Sequence, residues 1–250
     1  MDHKRFFILD VPVDNVTLSE ATERMHELAC DQDKQHLVTT PNPEMIVAAA
    51  RDPEFKRILT SASLALPDGA GIVWAARHAG VPLQERVAGV DAMETYCMSG
   101  EPTSVFLLGA REGVAKRAAE VLRASHPALQ IVGTHAGSPD PSHDDDTCRR
   151  INESQARALF VAYGAPAQEK WIDRNLPRLP DVRMAMGVGG SFDFIAGDVQ
   201  RAPQIFRRLH LEWSWRLLLQ PWRIKRIITA TVVFPWMFLT RSEVGEPALP

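Results

Sequence analysis

Short apolar strands alternate with helical patterns along most of this chain, and this alternation is the feature that most restricts its fold. The strand-like runs are His36 to Thr39, Leu64 to Leu66, Ser104 to Gly109, Leu129 to Val132, Ala158 to Tyr163 and Val182 to Met186. Because strands separated by single helices are joined by crossover connections, they form a mostly parallel sheet. The sequence therefore predicts an α/β fold with helices on both faces of that sheet.

The C-terminal fifth of the chain has a different pattern. Eight basic residues and one acidic residue, Glu212, lie between Arg201 and Arg241, and four of the six tryptophans lie there too. A long helical pattern starts at Arg201 and is interrupted by Pro221. The charge-free run from Ile227 to Thr240 contains Pro235 and is too short to span a membrane. We therefore predict an α/β catalytic domain over residues 1–200 and a basic, Trp-rich helical appendage over residues 201–250 that suits anions or a membrane surface.

Composition excludes several classes of protein. Hydrophobic residues make up 45% of the 250 positions and charged residues 24%, which is typical of a globular chain with a sizeable core. A net charge of −3 does not favour a nucleic-acid partner. The three cysteines form no CxxC pair, so neither a zinc ribbon nor a disulfide framework is indicated and a reducing compartment fits. No signal peptide is evident, and we expect a cytoplasmic location.

Two turns after predicted strands carry polar residues that can do chemistry, since ligands bind at the carboxyl ends of the strands in open α/β sheets. Thr40 and Asn42 follow the first of these strands. Asn42 is also a good helix N-cap, with Pro43 as the first helical residue. Asp68 follows the next strand, where a general base can lie, although an Asp before a helix is often a cap. Both interpretations remain open at each turn.

Two further turns are rich in small residues. The turn from Gly164 to Glu169 precedes a helix, whose N-terminus can bind phosphate, and Gln168 can contact a nucleotide base. The turn from Gly187 to Asp193 has three glycines in four positions, which allows a ligand close to the backbone. The alternative for both is an ordinary strand-to-helix turn. Neither has the GxGxxG pattern of dinucleotide-binding proteins.

Signals for metal binding are weak. Asp31-Gln32-Asp33 lies on the amino side of a strand, at the wrong end of the sheet for a site. Asp144-Asp145-Asp146 resembles the acidic first turn of a helix. No HExxH motif or Cys/His cluster is present. The sequence therefore predicts a site without a metal ion or other cofactor.

Three arginines in the appendage have the spacing of one helical face. Arg216, Arg223 and Arg226 are seven and three residues apart, and Arg binds diphosphate in a bidentate manner. Pro221 interrupts that pattern, so their convergence is a hypothesis. The alternative is a solvated or lipid-facing basic surface, which the neighbouring tryptophans also suit.

Taken together and in order, these stretches resemble the WecG/TagA/CpsF family of glycosyltransferases, glycosyltransferase family twenty-six. The matching stretches are Thr40-Pro-Asn42, Pro67-Asp68-Gly69-Ala-Gly71, Glu85-Arg86-Val-Ala-Gly89, Gly164-Ala-Pro166-Ala-Gln168-Glu169, Gly187-Val-Gly-Gly-Ser-Phe-Asp193, Gly197, Arg201-Ala-Pro203, Glu212-Trp213, Arg216-Leu217, Pro221, Arg223 and Arg226. Each is weak alone, but the ordered set over roughly residues 6 to 226 is specific.

The resemblance implies a Rossmann-like inverting transferase on the inner face of the cell membrane. It would move N-acetylmannosamine, its uronic acid or glucose from a UDP-sugar to a polyprenyl-diphosphate-linked saccharide in cell-surface polysaccharide biosynthesis. The family's catalytic base falls on Asp68, and its pocket residues fall on Thr40 and Asn42. The nucleotide-holding positions fall on Gly164, Pro166, Gln168, Glu169, Gly187, Gly189 and Asp193. The family's appendage arginines fall on Arg216, Arg223 and Arg226.

The chain departs from the family's usual pattern at one turn. Ala167 replaces a usual Lys, and Ala-Tyr163-Gly164-Ala165 replaces Gly-x-Gly-Ser. A non-catalytic nucleotide-sugar-binding subunit is therefore the alternative function, and a homo-oligomer is compatible with either. A nicotinamide oxidoreductase is a third interpretation, but the glycine fingerprint is absent.

Overall fold

The main element of the fold is a parallel β-sheet. A computed structural model describes residues 4–99, 103–203, 206, 215 and 221–241. The strands of this part of the chain are β1 (Arg5–Ile8), β2 (Val11–Asp14), β3 (His36–Thr39), β4 (Leu64–Ala65), β5 (Val105–Gly109), β6 (Ile131–His135), β7 (Ala158–Ala162) and β8 (Met184–Gly187). Six of them form one sheet in the order β4-β3-β8-β7-β5-β6. Every pairing within this sheet is parallel, as predicted.

Helices cover both faces of the sheet, which confirms the predicted fold class. The described helices are α1 (Leu18–Cys30), α2 (Pro43–Ala49), α3 (Pro53–Thr60), α4 (Ala70–His78), α5 (Gly89–Met98), α6 (Val114–Ser125), α7 (Asp144–Ser154), α8 (Ala167–Asn175), α9 (Ser191–Ile195), α10 (Ile224–Ile228) and α11 (Phe234–Arg241). Alternate residues of β7 enter different cores: Phe160 packs with Tyr96 of α5, whereas Leu159 and Val161 pack with Trp171 of α8. Strand side chains alternate in this way because successive residues point to opposite faces.

An N-terminal hairpin, β1–β2, lies outside the main sheet and was not predicted. The buried carboxylate of Asp14 joins it to the sheet. Asp14 accepts two hydrogen bonds from Arg5, both 2.8 Å long, and one from the backbone N–H of Ala65 at 2.8 Å. Because an unpaired buried charge is costly, this network fixes the hairpin against the site-bearing strand β4.

The bounds of strand β6 differ from the sequence prediction. Strand β6 begins at Ile131 rather than at residue 129 and continues to His135. The three aspartates from Asp144 form the first turn of α7, as predicted. Negative charge at that end of a helix is favourable because it faces the positive end of the helix dipole.

The described C-terminal segment, residues 221–241, packs against the α/β body. A short 3₁₀ turn, Pro221–Arg223, leads into α10, a π-helical stretch over Thr229–Val233, and α11. Pro235 does not interrupt this helical segment. The wider turn accommodates it, with the Phe234 N–H bonded to Thr229 O, and Pro235 lies at the start of α11, where its missing N–H costs nothing. The helix predicted from Arg201 to about residue 219 falls almost wholly outside the described residues.

Apolar side chains hold this segment in place. Phe234, Met237 and Phe238 of α11 are buried in a cluster that includes Met45 of α2 and Ile72 of α4. The ring of Phe238 meets that of Trp74 edge-on, with centroids 5.5 Å apart. The segment thus docks beside the two helices that follow β3 and β4. The division of the chain at residue 200 remains a prediction.

Candidate active site

A cavity of about 750 Å³ opens at the carboxyl edge of the sheet. The turns after β4, β3, β8 and β7, which are neighbours in the sheet, all contribute to its wall. The predicted site residues that line it are Thr40, Asn42, Asp68, Gly164, Gln168, Gly189, Asp193 and Arg226. The topology thus brings together residues that lie up to 186 positions apart in the sequence.

The turn after β3 places Thr40 and Asn42 at the cavity. Asn42 is the N-cap of α2, and its Oδ1 accepts a hydrogen bond of 3.1 Å from the Met45 N–H, which confirms the structural interpretation. The cap uses only Oδ1, so the Nδ2 group can donate to a ligand. Thr40 is buried, and a Cβ on Gly89 would lie 3.1 Å from its Cγ2. Gly89 therefore lets the start of α5 approach Thr40 closely.

Asp68 follows β4 and faces the same cavity. Helix α4 begins at Ala70 with Gly69 as its N-cap, at φ +91°, so the interpretation of Asp68 as the cap residue is wrong. The Asp68 N–H donates to Pro41 O at 3.2 Å, which links the turns after β3 and β4. A carboxylate that points from a strand end into a cavity has the position that a general base requires.

Arg86 is a site residue that the sequence analysis did not single out. Its Nη1 lies 3.7 Å from Asp68 Oδ1, and it lines the cavity. Two contacts hold its loop: the Val87 N–H donates to Pro67 O at 3.0 Å, and the Glu85 carboxylate accepts from the Leu18 N–H at 2.8 Å. Arg86 follows no strand, so only its place in the Glu85–Gly89 stretch of the family resemblance pointed to it.

Gln168 joins the turns after β7 and β8. Its Oε1 accepts hydrogen bonds from the backbone N–H of Gly164 at 3.0 Å and from that of Gly189 at 2.9 Å. Its Nε2 donates to Glu169 Oε1 at 2.7 Å. The side-chain oxygen and both glycine N–H groups are therefore engaged within the protein.

Glu169, Gly187 and Pro166 are not among the residues that line the cavity. Glu169 is completely buried, and burial raises the pKa of its carboxyl to about 7. A Cβ on Gly187 would lie 2.4 Å from Gln168 Nε2 and 2.7 Å from Glu169 Oε1, so this glycine leaves room for the pair. Pro166 is the N-cap residue of α8.

Asp193 lies in the first turn of α9 and lines the cavity. Arg111, from the turn after β5, donates to Asp193 Oδ1 at 3.1 Å and to Asp198 at 3.3 Å. Arg117 of α6 also donates to Asp198, at 2.5 Å. These ion pairs fix α9 and the turn after it beside β5.

The C-terminal segment closes one side of the cavity. Arg226 and the apolar surface of Ile227, Ala230 and Pro235 line this wall. The Arg226 Nε lies 2.5 Å from Glu44 Oε2 in the first turn of α2. Of the other two arginines predicted to bind diphosphate, Arg216 and the side chain of Arg223 lie outside the described residues, so the convergence of all three stays a prediction.

Neither a metal cluster nor a membrane span is found in the described part of the chain. No group of three or more His, Cys, Asp or Glu side chains there can hold a metal ion. Asp31 lies before β3, at the opposite edge of the sheet from the cavity, and its hydrogen bond with His36 lowers the pKa of its carboxyl to about 2. No helix in these ranges is long and apolar enough to cross a membrane.

The chain is similar to bacterial proteins named as transferases over most of its length. It is 34% identical over 226 residues to an N-acetylglucosaminyldiphosphoundecaprenol N-acetyl-beta-D-mannosaminyltransferase of Bacillus subtilis strain 168, covering 89% of this chain and 86% of that protein. A protein with the same name from Staphylococcus aureus strain MRSA252 is 33% identical over 223 residues, covering 88% of this chain and 87% of the relative.

A family comparison agrees with these relatives. Residues 6–246 match the family described as Glycosyl transferase WecG/TagA/CpsF. The match includes every turn that lines the cavity and also the C-terminal segment that closes it. The chain therefore belongs to the WecG/TagA/CpsF family of glycosyltransferases and is an enzyme of that class.

Proposed function

We propose that this chain transfers N-acetylmannosamine from a UDP-linked donor to N-acetylglucosamine carried on a polyprenyl diphosphate. The observation that carries the proposal is the joining of Asp68, from a strand end, and Arg226, from the C-terminal segment, in one cavity. The names of the relatives, which are 33–34% identical, support this donor sugar and acceptor over the uronic acid and glucose that the sequence left open.

In this reaction Asp68 takes the proton from the acceptor hydroxyl. The hydroxyl oxygen forms a bond to the anomeric carbon as the bond from that carbon to the UDP oxygen breaks, and UDP leaves with the electron pair. Thr40 and the Asn42 amide hold the sugar so that attack is in line, which supplies much of the rate enhancement. A single displacement inverts the anomeric carbon, so an α-linked donor gives the β linkage in the relatives' names.

Charge on the departing diphosphate needs a positive partner. Arg226 is at the cavity wall, and a guanidinium binds a diphosphate through two parallel hydrogen bonds. The arginines then do the work that a divalent metal ion does in other transferases. We therefore expect turnover to be unchanged by EDTA; a strict requirement for Mg²⁺ or Mn²⁺ would contradict this step.

The test is transfer by the purified full-length chain to a polyprenyl-diphosphate N-acetylglucosamine acceptor in mixed micelles. UDP-N-acetylmannosamine, UDP-N-acetylmannosaminuronic acid and UDP-glucose are compared at equal concentration, and the product anomer is read by NMR. We expect β-linked product from the first donor. Tight UDP binding without transfer of any sugar would instead indicate the non-catalytic subunit.

Attachment to a membrane surface is the second part of the proposal. Ile224, Ile228, Val232 and Trp236 are exposed on the C-terminal segment at intervals of four residues, on the side away from buried Phe234. Residues four apart share one face of a helix, so this is a continuous apolar stripe. Lys225 and Arg241 lie at its ends, where they suit anionic headgroups.

Co-sedimentation with vesicles containing anionic lipid tests this attachment. Burial of one large apolar side chain contributes roughly 1.5–3 kcal/mol, so Val232→Ser with Trp236→Ser should weaken vesicle binding by tenfold or more. Val121→Ser, at an exposed position of α6, is the matched control and should not change binding. Binding should also weaken as salt rises. Equal binding by the double variant would remove the stripe from the proposal.

A further inference from the structure

The site contains a buried side-chain pair, Gln168 and Glu169, behind its polar wall. Both side chains are almost wholly buried, with relative exposures of 3% and 0%. Only Gln168 reaches the cavity lining. Glu169 is thus too deep to touch a ligand, yet its carboxylate contacts the side chain that holds two of the cavity turns.

The orientation of the Gln168 amide is fixed by what surrounds it. The N–H groups of Gly164 and Gly189 are both donors, so only the side-chain oxygen can face them. The Nε2 must then face an acceptor, and Glu169 Oε1 is that acceptor at 2.7 Å. If the amide turned over, three N–H donors would meet one another and the carboxylate would face an oxygen.

We infer that Glu169 is a positioning residue that locks Gln168 as a bracket between the turns after β7 and β8. The bracket sets the separation of two neighbouring walls of the cavity, the ones that the proposed function assigns to the donor nucleotide. The inference rests on the proposed function only for that last assignment. Glu169 acts entirely through Gln168 and the two glycine amides.

Gly187 leaves the space that the bracket occupies. A side chain there would collide with both members of the pair, since its Cβ would lie 2.4 Å from Gln168 Nε2 and 2.7 Å from Glu169 Oε1. Gly187 does not have a positive φ, so an alanine there would clash with neighbouring atoms without straining the backbone. Gly187→Ala should therefore reproduce the effect of losing the bracket without removing any polar group.

Two substitutions of Glu169 separate the acceptor from the packing. Glu169→Gln keeps a side-chain oxygen that can accept from Gln168, whereas Glu169→Leu keeps much of the volume and removes the acceptor. The first readout, in the ligand-free protein, is hydrogen exchange at the backbone amides of Gly164 and Gly189. With the two bonds weakened together, exchange at both should rise about tenfold in the Leu variant and change less than threefold in the Gln variant.

The second readout is UDP affinity by calorimetry. We expect the Leu variant to bind UDP about tenfold more weakly and the Gln variant to retain wild-type affinity. Val182→Ala, in the core cluster that includes Trp171 of α8, controls for general destabilisation and should change neither the exchange at the two glycines nor the UDP affinity. Wild-type exchange at both glycines in the Leu variant would overturn the inference.

The two readouts separate the inference from the proposed function. Suppose that exchange at both glycines rises in the Leu variant but the wild-type protein binds no UDP. That result would support the bracket and contradict the nucleotide assignment. Normal UDP binding and transfer by wild type, with unchanged exchange in the Leu variant, would support the nucleotide assignment and contradict the bracket.

Discussion

The two walls of the cavity are built in different ways. The wall at the sheet edge consists of turns joined to one another by hydrogen bonds, such as those of Asp68 with Pro41 and of Gln168 with Gly164 and Gly189. The wall formed by the C-terminal segment is held by apolar contacts of α11 and by the ion pair of Arg226 with Glu44. The first wall is fixed by the sheet itself, and the second depends on a docking interaction.

This difference suggests that the two walls have different roles. Asp68, to which we assign proton transfer, lies at a strand end, where the backbone is constrained by its neighbours. The arginine that we assign to the leaving diphosphate lies on a segment that also carries the exposed apolar stripe. Docking of the segment can then couple a membrane surface to completion of the site.

The largest expected effect is at the sheet edge. Asp68→Asn keeps the size of the side chain and removes the base, so kcat should fall by about 10²-fold or more. Because Asp68 is not the cap of α4, the free energy of unfolding should change little. Steady-state transfer assays measure kcat, and thermal unfolding measures the stability. Retained activity would remove Asp68 from the mechanism.

Arg226→Ala should have the next largest effect, lowering kcat/KM by about tenfold or more because one donor to the leaving group is lost. Arg226→Lys should recover part of the activity, since the charge remains but the bidentate geometry does not. If the alanine variant transfers sugar at the wild-type rate, the segment contributes no charge to the site.

Phe234→Ala tests the docking of the segment. A buried Phe→Ala change removes about 3–5 kcal/mol of packing, and here that loss falls on the contact between α11 and the body. We expect proteolysis within residues 224–241 and lower activity, with the main unfolding transition preserved. Phe160→Ala, in a buried position of β7 and in a different core cluster, is the control that should lower the main transition instead.

A pH dependence of stability should come from Glu169. Its pKa in the folded protein is raised from 4.5 to about 7, so the folded state binds more protons than the unfolded state between these values. The free energy of unfolding of wild type, relative to Glu169→Gln, should therefore fall as pH rises from 4.5 to 7 and be level outside that window. Urea denaturation at a series of pH values measures this difference; a flat difference would contradict the raised pKa.

The smallest effect is expected for Glu44→Gln. The Arg226–Glu44 pair is partly exposed to solvent, and such pairs contribute at most about 1 kcal/mol. Vesicle binding and transfer should change less than threefold. A large loss would show that the ion pair, rather than the apolar contact, holds the segment.

The parts of the fold that follow from local pattern were predictable from sequence. Strand β3 and the cap at Asn42 agree with their patterns because a short apolar run and a capping residue before Pro are local signals. The hairpin β1–β2 was missed because its turn lacks the Asn-Gly or Asp-Gly pair that usually indicates a two-residue hairpin turn. Leu9 and Asp10 form this turn with positive φ. The pairing of Arg86 with Asp68 was missed because it depends on contacts between loops.

The site divides in the same way. Convergence of four turns followed from the rule for parallel sheets, and the cavity lined by Asp68, Thr40 and Asn42 agrees with it. The bracket of Gln168 could not be predicted because the direction of a side-chain amide depends on donors from two separate turns. The way in which α11 docks could not be predicted either, since the π-helical stretch before Pro235 has no simple sequence signal.

The most direct test of the account is calorimetric titration of UDP into wild type, Asp68→Asn and Arg226→Ala, each with anionic vesicles present. We predict equal UDP affinity for wild type and Asp68→Asn and an affinity about tenfold lower for Arg226→Ala. Loss of UDP binding in Asp68→Asn together with unchanged binding in Arg226→Ala would contradict the division between the two walls.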